Sequence, residues 1–254
     1  MPLKDSGKLL ALVESTSPFV LTKKGLESLG FEDFGWIKGG YSAHPKVDPA
    51  NGDIFNFGTD FKSEMVTLSH STKDMKLVKS KEIKLRKFQS IHDFCLAGDY
   101  IVIFECSMNL SIWNVMFASS LLHAFVFDED LPKLVHVFRK DDFSHVRTIQ
   151  TPPSYVFHFT NGFSKENKVT VQYCNYYPKE AKQLFDFIAH VPNYAQGSEK
   201  KFCTISHLEE MEIDLETAKV KITDLGGFSE FPVCEDHEVG KEWRYTYSAM
   251  HIIS

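Results

Sequence analysis

The residues in this sequence best suited to chemistry are histidines. Eleven are present, and a neutral imidazole nitrogen is the commonest protein ligand for a metal ion. Three stand in distinctive settings. His44 lies in Ser42-Ala43-His44-Pro45-Lys46-Val47-Asp48-Pro49, His92 in Ser90-Ile91-His92-Asp93-Phe94, and His158 in Tyr155-Val156-Phe157-His158-Phe159-Thr160-Asn161-Gly162-Phe163. Each falls at or near the end of a β-like run, beside a turn or an aromatic residue. Taken singly, such a histidine is more often a packed side chain with its hydrogen bonds satisfied than a ligand. The sequence has no HExxH and no i, i+4 histidine pair on a helix, so a zincin reading fails. His44 and His92 are 48 residues apart, and His92 and His158 are 66 apart. Ligands so distant in sequence converge only if each comes from a different part of a closed, radial sheet, and the axis of a β-propeller offers that geometry.

The elements that would position these residues are short strands. β-rich runs occupy Lys8–Val13, Ala43–Val47, Ile54–Phe57, Met65–Leu68, Tyr100–Phe104, Leu134–Phe138, Tyr155–Phe159, Val169–Tyr173 and Val220–Ile222. Val, Ile, Phe and Tyr fill them, as suits a pleated, half-buried surface. Ala50-Asn51-Gly52-Asp53 is a turn signal between two of these runs. This spacing predicts an all-β fold, a sandwich, barrel or propeller, and the internal repeat is too weak to choose among them by period. Two segments depart from the pattern. Asn109–His123 places Leu110, Trp113, Phe117 and Leu121 at helical spacing with no Lys, Arg, Asp or Glu. It reads as a helix that is either buried or touches a membrane. Glu180–Ala189 reads as a short helix in an insertion, ended by Pro192.

Composition sets the class. The 254 residues suit one large β domain, here taken as 1–254, and 43% of them are apolar. Phe alone contributes 22 residues, enough both to fill a core and to line an apolar substrate channel. A formal net charge of −6 with no basic run disfavours nucleic-acid binding. The five cysteines, Cys95, Cys106, Cys174, Cys203 and Cys234, form no CxxC pair. They read as reduced thiols of a cytosolic protein, with no disulfide framework and no structural zinc. Met1–Lys8 lacks the apolar core of a signal peptide, and no stretch of 18 uncharged apolar residues occurs.

Five segments together carry a family resemblance. AHPKVDPANGDIFNFG at 43–58 resembles the first-histidine motif of the carotenoid cleavage oxygenase family, which includes apocarotenoid oxygenases, stilbene-cleaving enzymes and the retinal pigment epithelium retinoid isomerase. IHDFCLAGDYIVIFE at 91–105 is similar to its second motif and FHFTNGF at 157–163 to its third. LLALVES at 9–15 and SEFPVCEDHEVGKEWRYTYS at 229–248 resemble the blocks carrying two of the family's glutamates, here Glu14 and Glu230. The matches run in family order from about Lys8 to Tyr247.

The resemblance implies a seven-bladed β-propeller, incomplete here at both ends, with short helical insertions. It implies one non-haem Fe²⁺ per subunit on the propeller axis, bound by four histidines, of which His44, His92 and His158 match three. Glu14 and Glu230 match the carboxylates that accept a hydrogen bond from a ligand's outer N–H and so aim it. The implied activity is O₂-dependent cleavage of a C=C bond in a lipophilic carotenoid or apocarotenoid, giving aldehyde or ketone products. Retinoid isomerohydrolysis, stilbene cleavage, and an inactive propeller that only binds a lipid or partner are the rival expectations. Leu110, Trp113, Phe117 and Leu121 fall where the family carries an apolar, membrane-dipping segment, so a peripheral membrane contact is expected of an otherwise cytoplasmic protein. The family's fourth histidine lies near the end of a chain about twice this long. His251 does not match that motif, so the sequence reads as a central part of such a chain.

Overall fold

In the computed structural model of the chain, residues 1–3, 6–14, 16–59, 65–84, 86, 91–111, 113, 116, 124–185 and 205–250 are described. They form four antiparallel meanders of four strands each. The first contains β1 (Pro2–Leu3), β2 (Lys8–Ala11), β3 (Phe19–Thr22) and β4 (Ser28–Phe31). The second contains β5 (Lys46–Val47), β6 (Ile54–Thr59), β7 (Met65–Ser71) and β8 (Leu77–Lys84). The turn expected at 50–53 joins β5 to β6. Its Gly52 has φ 80° and donates its N–H to the Asp48 carbonyl at 2.8 Å, a backbone region that glycine enters without steric cost.

The third meander is β9 (Cys95–Ala97), β10 (Tyr100–Glu105), β13 (Lys133–Arg139) and β14 (His145–Thr151). The hairpin of β11 (Met108–Leu110) and β12 (Phe125–Phe127) projects from it. The fourth is β15 (Tyr155–Lys165), β16 (Lys168–Tyr176), β17 (His207–Asp214) and β18 (Val220–Val233). One parallel pairing, Gly162 with Ala97, links the third and fourth meanders edge to edge. The far end of β18 turns away from β17 and pairs with β19 (Tyr247–Met250) instead.

Three apolar cores lie between successive meanders. Leu10 and Val20 of the first meet Ile54 of the second. Phe55, Phe57, Val66 and Leu68 of the second meet Leu96, Ile101 and Ile103 of the third. Val102, Phe104 and Val135 of the third meet Phe159, Val171 and Tyr173 of the fourth. Sheets stacked in chain order, each face-packed on the next, are mostly-β architecture of the kind from which propeller blades are made. Inner strands such as β10 are buried at every position, which is why Tyr100–Phe104 reads as a continuous apolar run.

The segment 109–123 departs from expectation at its start. Asn109 and Leu110 belong to β11, and Leu110 pairs with Phe125. Strand pairing with β12 outcompetes the helical period there, because it satisfies backbone groups of both edges. Residues 113 and 116 are helical, and Trp113 and Met116 are 72% and 59% exposed; Phe117 and Leu121 lie outside the described residues. Of the second expected helix, residues 178–185 are helical, and 186–189 lie outside the described residues, as do Cys203 and His251. Cys95, Cys106, Cys174 and Cys234 are free thiols. Among the described residues no helix is long and apolar enough to cross a membrane.

Candidate metal centre

Two of the three histidines stand just before a strand and the third at an irregularity within one. His44 occupies the approach to β5, where its N–H is donated to Ser42 Oγ at 3.1 Å. His92 immediately precedes the short stretch leading into β9. His158 lies inside β15 where the register with β16 shifts between Val156 and Phe159 and again between Phe159 and Asn161. Such bulges break the two-residue alternation and re-aim a side chain.

The structure brings the three rings together. One ring nitrogen from each of His44, His92 and His158 lies within 4.8 Å of the other two. Ring centroids are separated by 4.5 Å (His44–His92), 5.0 Å (His44–His158) and 4.9 Å (His92–His158), all near edge-to-face. His92 Nδ1 is 2.7 Å from Glu14 Oε1, and His158 Nδ1 is 2.5 Å from Glu230 Oε2. A carboxylate accepts but does not donate, so each of these imidazoles carries its proton on Nδ1 and keeps a lone pair on Nε2. His44 Nε2 lies 2.8 Å from His92 Nε2.

This donor set fits a divalent transition metal. With the metal–imidazole bond of about 2.0–2.1 Å known for zinc, two ligands at the right angles of an octahedral ion, rather than zinc's own tetrahedral angle, stand roughly 2.9 Å apart. The 2.8 Å approach of His44 and His92 matches that separation. Imidazole ligands also suit Zn, Cu, Fe and Ni rather than Mg or Ca. Burial pushes the His44 imidazole down to about 4, with Asp93 opposing and the neighbouring cationic groups reinforcing the shift. His44 is therefore neutral at physiological pH, as a ligand must be. Burial alone would raise the Glu14 carboxyl, but the hydrogen bond from His92 holds it below its ordinary value.

Glu230 is held on three sides. Besides His158, its Oε2 accepts the Phe231 N–H at 2.9 Å, and its Oε1 accepts the Tyr176 hydroxyl at 2.6 Å. Phe231 has φ 53°, a left-handed backbone uncommon for a bulky residue, and the pairing of β18 with β19 is irregular from Glu230 to Val233. The Phe231 ring lies 5.1 Å from His158, and the Phe157 ring stacks on His92 at 4.0 Å. A cavity of about 310 Å³ opens beside His44 and His158, bordered by Asp93, Thr160, Phe231 and Cys234.

Sequence reasoning assigned no role to Lys46, Asp93, Tyr176, Phe157 or Phe231. The first two stand one or two residues from a histidine, which is a signal of proximity but not of partnership. Tyr176 is remote in sequence from Glu230, and nothing in the local pattern joins them.

The sequence model of the family described as retinal pigment epithelial membrane protein matches residues 3–252. Carotenoid 9,10(9',10')-cleavage dioxygenase 1 of Phaseolus vulgaris is 26% identical over 250 residues, covering 95% of this chain and 44% of its own length. Apocarotenoid-15,15'-oxygenase of Synechocystis sp. is 26% identical over 254 residues, covering 94% of this chain and 50% of its own length. The crystal structure of Pseudomonas brassicacearum lignostilbene dioxygenase superposes with a TM-score of 0.83 at 24% identity, covering 98% of this chain and 52% of that one. At that identity the likeness speaks for the fold alone. The chain spans about half the length of the curated relatives it matches.

Proposed function

The chain belongs to the retinal pigment epithelial membrane protein family, and from that premise we propose that it carries the histidine site of a non-haem Fe²⁺ oxygenase. The substrate we assign is a carotenoid or apocarotenoid, in line with the names of the two curated relatives. One conjugated C=C bond is broken, and each of its carbons takes one oxygen atom of O₂ to become a carbonyl. The observation that carries this reading is the convergence of His44, His92 and His158 from sequence-distant segments, two of them backed by carboxylates.

In this reading His44, His92 and His158 would hold the iron, His92 and His158 through the Nε2 that their carboxylate partners leave free. Bound there, iron would supply the redox-active centre that O₂ chemistry requires. Glu14 and Glu230 fix the tautomer and direction of His92 and His158. Phe157 and Phe231 flank the histidines with apolar faces, as a polyene requires. The four meanders are consecutive blades of a seven-bladed propeller whose axis passes the histidines. Trp113 and Met116, both well exposed, support a contact with a membrane surface from which a lipophilic substrate is drawn.

Iron content and product analysis test the proposal together. The parent chain should retain close to one iron per chain, and His44→Ala should retain essentially none. Incubation with a carotenoid, a retinyl ester and a stilbene separates the three chemistries that this histidine set can serve. A chain that binds no iron and takes up no O₂ supports the rival reading of a propeller with a binding role only.

A further inference from the structure

The three histidines are borne on segments that belong to different strands, and something other than a metal must hold those segments in register. A buried ion pair does so. Lys46, two residues after His44, places Nζ 2.7 Å from Asp93 Oδ1. Asp93, the residue after His92, has a side chain only 2% exposed. Its Oδ2 accepts the backbone N–H of Phe159, the residue after His158, at 2.9 Å. The remaining capacity of Oδ1 is taken by the Phe94 N–H at 2.8 Å. One carboxylate is thus bonded to all three histidine-bearing segments, each within two residues of the ring it carries.

We propose that Lys46 and Asp93 are positioning residues that lock the three histidine segments into one frame, setting the ligand geometry before a metal binds. The inference rests on the metal reading above and names residues beyond the ligands and their carboxylate partners. A carboxylate this buried is tolerated only with its cation and its N–H donors in place, so the three contacts stand or fall together. Asp93 does not touch a ring nitrogen in this arrangement; it acts through the backbone that carries the rings. Ser42 adds a weaker tie of the same kind, since its hydroxyl receives the His44 N–H at 3.1 Å and reaches the His92 carbonyl at 3.4 Å.

Cobalt(II) is a suitable probe, because its visible ligand-field bands report coordination geometry independently of turnover. The 254-residue chain would be titrated with cobalt alongside Asp93→Asn, Lys46→Met and Lys46→Arg, with folding checked by circular dichroism. Asp93→Asn keeps an acceptor for Phe159 and is the milder variant, so it decides the matter if Lys46→Met does not fold. We expect Asp93→Asn and Lys46→Met to weaken cobalt binding by about tenfold or more, the scale of loss when supports of metal ligands are removed. Their bands at saturating cobalt should also shift, while Lys46→Arg keeps the parental bands. A merely structural ion pair would lower thermal stability and leave the saturated spectrum unchanged, and that result overturns the proposal. Absence of cobalt bands from the parent chain would instead overturn the metal reading itself, and the clamp with it.

Discussion

Replacing Glu230 with Gln is the most informative single change at the candidate centre. The carboxylate accepts three hydrogen bonds, from His158 Nδ1 at 2.5 Å, from Phe231 N at 2.9 Å and from the Tyr176 hydroxyl at 2.6 Å. Glutamine keeps one acceptor oxygen, which can serve His158 and Phe231. Its amide faces Tyr176, whose hydroxyl can turn and accept. The fold should therefore tolerate the change, while the negative charge beside the His158 ring is lost. Supports of this kind are worth roughly ten- to a hundredfold in metal affinity, or about 1.4–2.7 kcal/mol. Glu230→Ala should cost more in stability, because it strands His158 Nδ1 and the buried Tyr176 hydroxyl, each at about 1–3 kcal/mol. Calorimetric titration of the metal-free chain with Fe²⁺ under anaerobic conditions measures the affinity, and a thermal melt measures the fold. If Glu230→Gln binds iron as tightly as the parent, the claim that this carboxylate tunes a ligand is wrong.

Lys133 is buried between the rings of Phe104 and Tyr173, at 4.9 and 5.1 Å, and burial pushes its ammonium down to about 8. Between pH 8 and about 10.5 the unfolded chain binds a proton there that the folded chain does not, so stability should rise with pH across that window. The gain is at most about 3 kcal/mol, and Lys133→Met, read by urea melts at several pH values, should flatten it. Gly40→Ala would place a Cβ 2.0 Å from the Glu14 carbonyl oxygen. It should lower the melting temperature through an overpacking cost of about 1–3 kcal/mol, and it should also weaken iron binding by shifting Glu14 off His92; a parental melt would contradict this. Trp113→Asp should reduce co-sedimentation with phospholipid vesicles, and unchanged sedimentation would remove the membrane contact from the account.

The histidine trio stood out because each member sits beside a turn or an aromatic residue, but its reading as a ligand set came from the family resemblance, and His158, expected at or near a strand end, lies inside β15. Glu14 and Glu230 came from the resemblance of the blocks that carry them, since an isolated Glu has no local signature. Inner strands such as β6, β10 and β16 announce themselves through apolar runs that are buried in the fold. Outer strands do not. Leu77-Val78-Lys79-Ser80-Lys81-Glu82-Ile83-Lys84 is an edge strand with no buried position, so it carries charge where a periodicity argument looks for apolar residues. Ser28–Phe31 and His145–Thr151 are edge strands too, with no buried position in the first and only Ile149 and Thr151 buried in the second. Asn109–Leu110 was read with the helix because apolar spacing is blind to a strand partner at Phe125–Val126. The Lys46–Asp93–Phe159 clamp was out of reach of sequence alone, because its members are separated by whole meanders and meet only when the sheets stack.

The central claim is that His44, His92 and His158 ligate one metal ion. X-ray absorption on the iron-loaded chain addresses it directly. At least three imidazoles should appear in the first coordination sphere through their multiple-scattering signature, with one imidazole fewer in each single His→Ala variant that still binds. A first sphere of oxygen ligands without imidazole scattering, or a spectrum unaltered by all three substitutions, would contradict it.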